Sequence, residues 1–154
     1  MSSGGKMDPS VDARHTKRMK EIVQQIGWPT KSKVGSAASQ AAWLLVQHAD
    51  REVDFQERCL KLLKEAPPDE VRKQDIAYLE DRIRVHTGQP QLYGTQFYTD
   101  KDGVLAPRPI EDPDNLERRR KEMGLGSFAE YAAQIQKMNS GSSSKKPGET
   151  GKEE

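Results

Sequence analysis

Cysteine is all but missing from this 154-residue chain. Cys59 stands alone, so no internal disulfide can form, and a reducing, cytoplasmic setting is expected. Long apolar runs are missing too. Nothing approaches the roughly 18 residues of a membrane span, and the first residues lack the apolar centre of a signal peptide, so no membrane partner is expected. Hydrophobic residues make up 33% and aromatics 6% of the chain, so the core must be small. A surplus of one charge sign is also lacking: 25 Lys and Arg face 24 Asp and Glu, for a net charge of +1. That gives no general attraction to polyanions, and nucleic acid is not an expected partner. Recognisable catalytic signatures are absent as well, with no phosphate-binding glycine loop, no nucleophile elbow and no HExxH. His15, His48 and His86 fall on three separate segments without metal-ligand spacing, so neither a metal nor a cofactor is expected.

What remains is unevenly spread. Residues 139–154 contain no apolar side chain, and this tail and residues 1–7 are expected to be disordered. The folded unit is then a single helical domain over 8–138. Asp8-Pro9 is a helix start, followed by a stripe of Val11, His15, Met19, Ile22 and Ile26 at spacings of three and four, with Gly27 and Pro29 as the stop. His15 on that stripe reads as half-buried. Ser36 can cap the next helix, which becomes apolar on all sides at Trp43-Leu44-Leu45-Val46 and should therefore be central. Phe55, Cys59, Leu62, Leu63 and Ala66 continue one stripe. This points to one long helix, or two with a slight bend, ended by Pro67-Pro68. Asp69 is a cap for a helix bearing Ile76, Leu79 and Ile83, closed by Gly88.

The period then changes. Residues 91–98 alternate and read as a strand, Asp100 to Gly103 as a turn and Val104-Leu105 as the return, giving one hairpin near 92–108. Two helices follow, one begun by Asp112-Pro113 and closed by Gly124, and one capped by Ser127. The fold class expected is mainly α (α+β), with about six helices around a long apolar one.

Polar residues gather at the ends of the apolar segments. His48 is the natural proton donor or acceptor, with Asp81 or Asp50 to orient it; His48 and Asp81 are the candidate catalytic pair. Arg82 offers a two-pronged contact for an anion, and Gln47, Asp50, Gln91, Tyr93 and Gln96 complete a set suited to a small polar or anionic molecule. That composition fits hydrolase or transferase chemistry in a polar cleft. The competing reading is a non-catalytic binding or interaction module in which the same residues tie helices together.

The words Gly27-Trp28-Pro29, Gln47-His48-Ala49-Asp50, Asp81-Arg82, Gln91-x-Tyr93-Gly94-Thr95-Gln96 and Arg120-x-x-x-Gly124-Leu125 together resemble an uncharacterised family of small, mainly bacterial proteins. The resemblance spans roughly residues 10 to 131. It singles out these positions and implies no reaction.

Overall fold

The computed structural model describes residues 9–145. The expected disordered N-terminus (1–7) and the last part of the expected tail lie outside that range. Seven α-helices and one two-stranded antiparallel hairpin account for the described residues, a mainly α architecture with a small β element. The helices are α1 (Pro9–Ile26), α2 (Lys31–Val34), α3 (Ser36–Gln47), α4 (Val53–Glu65), α5 (Lys73–His86), α6 (Leu116–Glu122) and α7 (Phe128–Lys145); the strands are β1 (Phe97–Thr99) and β2 (Leu105–Pro107).

α1 is described from Pro9 onward and ends before Gly27, whose φ of 74° favours a residue without a side chain. Its buried contacts are Met19 and Val23 rather than the whole expected stripe; His15 and Ile26 face solvent. A straight helix drifts about 20° per heptad from a strict seven-residue repeat, so a stripe continued through His15 and Ile26 leaves the core at those positions. Residues 31–34, expected as a loop, form the single turn α2. Gly35 at φ 91° then redirects the chain into α3.

The expected long helix is broken. α3 stops at Gln47, and α4 starts at Val53. Ten residues of unbroken helix span about 15 Å, yet the Gln56 side chain donates from Nε2 to the Val46 carbonyl at 2.9 Å, so the chain turns back sharply. With its C-terminal carbonyls satisfied by that amide, α3 needs no continuation. α3 is also less enclosed than expected: it buries Ala42, Trp43, Val46 and Gln47 on one side and leaves Leu44 45% exposed.

The core lies instead between α3, α4 and α5. Val46, Phe55, Cys59, Leu63, Leu79 and Ile83 are sealed from solvent, with Met19, Val23 and Trp28 closing one end. Each large apolar side chain so buried contributes roughly 1.5–3 kcal/mol. Burial also pushes the Cys59 thiol up to about 12, so this cysteine is plain core. The α4–α5 connection runs through Pro67-Pro68, and α5 begins at Lys73, later than the expected cap at Asp69. α3 and α5 run side by side in one direction. Trp43 Nε1 donates to the Asp75 carbonyl at 3.0 Å, and seven residues further along the chain from each, Asp50 in the turn after α3 meets Arg82 on α5.

The hairpin is shorter than expected. Only residues 97–99 pair with 105–107, in the register Phe97↔Pro107, Tyr98↔Ala106 and Thr99↔Leu105. Asp100 Oδ1 accepts from the amides of Asp102 and Val104 and fixes the turn. An aromatic relay joins the hairpin to the helices: Trp43–Tyr78, Tyr78–Tyr131, Tyr131–Phe97 and Phe97–Phe128 have centroid separations of 6.4, 6.3, 5.8 and 6.0 Å. Ser127 caps α7 by accepting from the Glu130 amide. α7 then runs to Lys145, seven residues beyond the expected boundary at 138.

Candidate functional site

α5 carries Asp81 and Arg82 next to each other, and successive helical residues point about 100° apart. They accordingly serve two different places.

Asp81 is fully buried and faces the segment 91–96. Oδ1 accepts from the amides of Leu92 (2.8 Å) and Tyr93 (3.0 Å), and Oδ2 from the amide (3.1 Å) and hydroxyl (2.8 Å) of Thr95. Burial pushes its carboxyl up, opposed by these same donors. Gln91, also fully buried, completes the segment: Nε2 donates to the carbonyls of Gln96 and Arg108, and Oε1 accepts from the Gln96 amide. The remaining carbonyls are met from the C-terminal helices. Arg119 Nε donates to Leu92 O (2.7 Å), Arg120 Nη1 to Tyr93 O (2.7 Å) and Tyr131 Oη to Thr95 O (3.0 Å). Arg120 is itself buried, with its guanidinium 5.8 and 5.2 Å from the ring centres of Phe128 and Tyr131. Gly94 sits at φ 69° under Phe128, where a Cβ would come within 2.8 Å of the ring. The strand expected over 91–98 is therefore, over residues 92–95, a loop with its backbone groups bonded mainly to side chains, while Gln91 bridges Ile110 and Gln96 accepts from the Arg108 amide. Alternation of apolar and polar residues there reflects those anchors, not sheet pairing.

On its other side α5 forms a surface ion cluster. Arg82 donates to Asp50 with both prongs, Nε to Oδ1 at 2.9 Å and Nη2 to Oδ2 at 2.8 Å. Gln56 Nε2 adds a third contact to Asp50 Oδ1 at 3.3 Å. Burial raises the Asp50 carboxyl, but the hydrogen bonds and charge of Arg82, helped by His86 and Gln56, more than offset this and hold it below its ordinary value. His86, one turn after Arg82, places Nδ1 2.9 Å from the Arg82 carbonyl oxygen and Nε2 3.7 Å from Asp50 Oδ2. A carbonyl can only accept, so Nδ1 carries the hydrogen and Nε2 of the neutral ring is the open acceptor. Beside the cluster, the buried Oε1 atoms of Gln47 and Gln56 have no hydrogen-bond partner.

Seven of the eight expected site residues thus fall into two groups, and His48 joins neither. Asp81, Gln91, Tyr93 and Gln96 belong to the anchored loop. Tyr93 joins it through its backbone, and burial with the nearby charges of Glu80 and Asp81 pushes its phenol up to about 12. Gln96 donates from its side chain to Thr95 Oγ1 at 3.0 Å. Asp50 and Arg82 form the surface cluster, with Gln47 on the same stretch of chain. Among the described residues no hydrogen bond connects the two groups. His48 is the exposed residue that ends α3, and its ring has no hydrogen-bond partner among the described residues. Neither Asp50 nor Asp81 orients it by a hydrogen bond, because Asp50 is held by Arg82 and Asp81 by the loop.

Two contributors, His86 and Arg119, escaped the sequence reading, and Arg120 was singled out there only within the word Arg120-x-x-x-Gly124-Leu125. His86 could have been found from its spacing of four after Arg82, which places both on one helical face. Nothing in the spacing of Arg119 and Arg120 reveals that each reaches 27 residues back to a loop carbonyl. Among the described residues no group of three or more His, Cys, Asp or Glu side chains converges as a metal-ligand set, and no helix is long and apolar enough to cross a membrane.

No curated protein and no solved structure matches the chain significantly. A family model does match, over residues 5–141, which take in both the anchored loop and the Asp50–Arg82–His86 cluster: the chain belongs to a family of unknown function, DUF6624.

Proposed function

We propose that the protein binds a small polar molecule at the Asp50–Arg82–His86 surface and that His86 acts there as acid or base, in a reaction of the hydrolase or transferase type. The observation that carries this reading is the placement of His86 Nε2, an open acceptor 3.7 Å from Asp50 Oδ2. A water or a substrate hydroxyl bound between them donates to the imidazole. As the ring takes the proton, the adjacent carboxylate balances the new positive charge. Arg82 keeps that carboxylate ionised and fixed in orientation.

A second reading is favoured by the two-pronged Arg82–Asp50 pair, which suits a strut between the α3–α4 turn and α5 in a non-catalytic module. Turnover of p-nitrophenyl acetate and p-nitrophenyl phosphate by wild type and by His86→Gln separates the two. The site reading expects turnover that His86→Gln removes while the thermal melt stays unchanged. Wild-type turnover no greater than that of His86→Gln refutes the role of His86. Loss in His48→Gln alone would return the role to His48.

A further inference from the structure

At the opposite end of α5 from His86, about 16 Å along the helix axis, the surface opens into a cleft of about 260 Å³. The indoles of Trp28 and Trp43 line it, with Ser36 and Gln40 from α3 and Asp75 from the first turn of α5. The volume lies just below the roughly 300–1,000 Å³ of sites for drug-sized ligands, a size for a metabolite.

Asp75 is the unusual member. The residue is 8% exposed, yet its nearest cation, Arg72 Nη1, is 3.9 Å away, beyond hydrogen-bond reach, and the Arg72 side chain is 61% exposed. Burial pushes the Asp75 carboxyl above its ordinary value, and Arg72 and Gln40 offset that only in part. A carboxylate at the start of a helix is favoured by the helix dipole, which accounts for an acid here but not for its burial in a cleft that two tryptophans line. The other charged side chains around the cleft are Asp69, Glu70 and Lys31. Glu70 already accepts from the Ser32 amide at 2.8 Å. With Asp75 and Arg72 included, carboxylates outnumber cations three to two.

We propose that this cleft binds a small organic cation, a primary or quaternary amine of metabolite size, with Asp75 as counter-charge and Trp28 and Trp43 as its aromatic walls. Indole is the best of the side-chain rings at attracting a cation lying over its face, and such contacts strengthen when water is excluded. An entering ammonium supplies the Asp75 carboxylate, which Gln40 only hydrogen-bonds, with the close cation it lacks. A neutral molecule of the same shape supplies none.

Trp28 and Trp43 are the only tryptophans in the chain, so their fluorescence and indole N–H resonances report on the cleft. The probes are choline, propylamine, the neutral choline isostere 3,3-dimethylbutan-1-ol, and sodium acetate, all at matched ionic strength. Saturable changes are expected with the two amines and about tenfold weaker ones with the neutral isostere. Asp75→Asn should lose about tenfold in amine affinity and keep a cooperative melt. Arg72→Ala, which removes an exposed competitor, should bind the amines more tightly, and it decides the matter if Asp75→Asn does not fold. No saturable response, equal binding of the isostere, preference for acetate, or unchanged affinity in both variants overturns the proposal.

Discussion

Replacing Asp81 tests the anchored loop directly. Its carboxylate accepts four donors, the amides of Leu92, Tyr93 and Thr95 and the Thr95 hydroxyl. Alanine removes the acceptor and leaves all four. A buried donor without a partner costs about 1–3 kcal/mol. Water can reach part of the Leu92 and Tyr93 amides, but both Thr95 donors are buried, so the net loss should be about 3–5 kcal/mol against a typical total of about 5–15 kcal/mol. At about 3–4 °C per kcal/mol, Tm falls by roughly 10–15 °C. Asp81→Asn should cost less, about 2 kcal/mol. Its remaining oxygen can keep the two Thr95 donors, while its NH2 confronts the Leu92 and Tyr93 amides. Urea denaturation gives the energies, and amide exchange at Leu92, Tyr93 and Thr95 gives the location. A loss below about 1 kcal/mol for Asp81→Ala, with protection of those amides unchanged, refutes the view that this carboxylate holds the loop.

Gly94→Ala combines a left-handed φ of 69° with a Cβ forced to 2.8 Å from the Phe128 ring, and should cost about 2–4 kcal/mol by urea denaturation, with near-ultraviolet dichroism showing disturbed aromatic packing. The folded-state pKa of Asp50 lies below its ordinary value of 3.8, so its contribution to stability is complete above 3.8 and is lost as pH falls through the lower folded value. The stability difference between wild type and Asp50→Asn should therefore be constant near neutrality and shrink only in acid. A difference that instead shrinks on raising the pH contradicts the assignment.

Helix starts and stops marked by backbone chemistry were legible in the sequence. Gly27, Gly88, Gly124 and Ser127 all fall within two residues of the ends they signal, because each acts through its own φ or its own side chain. The α3–α4 break was not, since it depends on Gln56 reaching back to the carbonyls of Val46 and Gln47. Nor was the loop over 92–95, whose alternation mimics a strand while its partners come from α5, α6 and α7. For the candidate site, Asp50 and Arg82 were legible as a charged pair beside apolar segments, and they do meet. The grouping of Asp81, Gln91 and Gln96 with them was not supported, because neighbouring positions on one helix face different ways.

The carbonyls of Leu92, Tyr93 and Thr95 are satisfied by side chains lying 27 to 36 positions further along the chain. A polypeptide emerging from the ribosome cannot finish this segment until Tyr131 has been made, so the centre of the molecule is completed late and from its C-terminal side. A chain cut short before α6 would keep the acceptor of Asp81 yet leave three carbonyls bare. Premature termination anywhere before Tyr131 should thus be felt at residues 92–95, far upstream of the missing part.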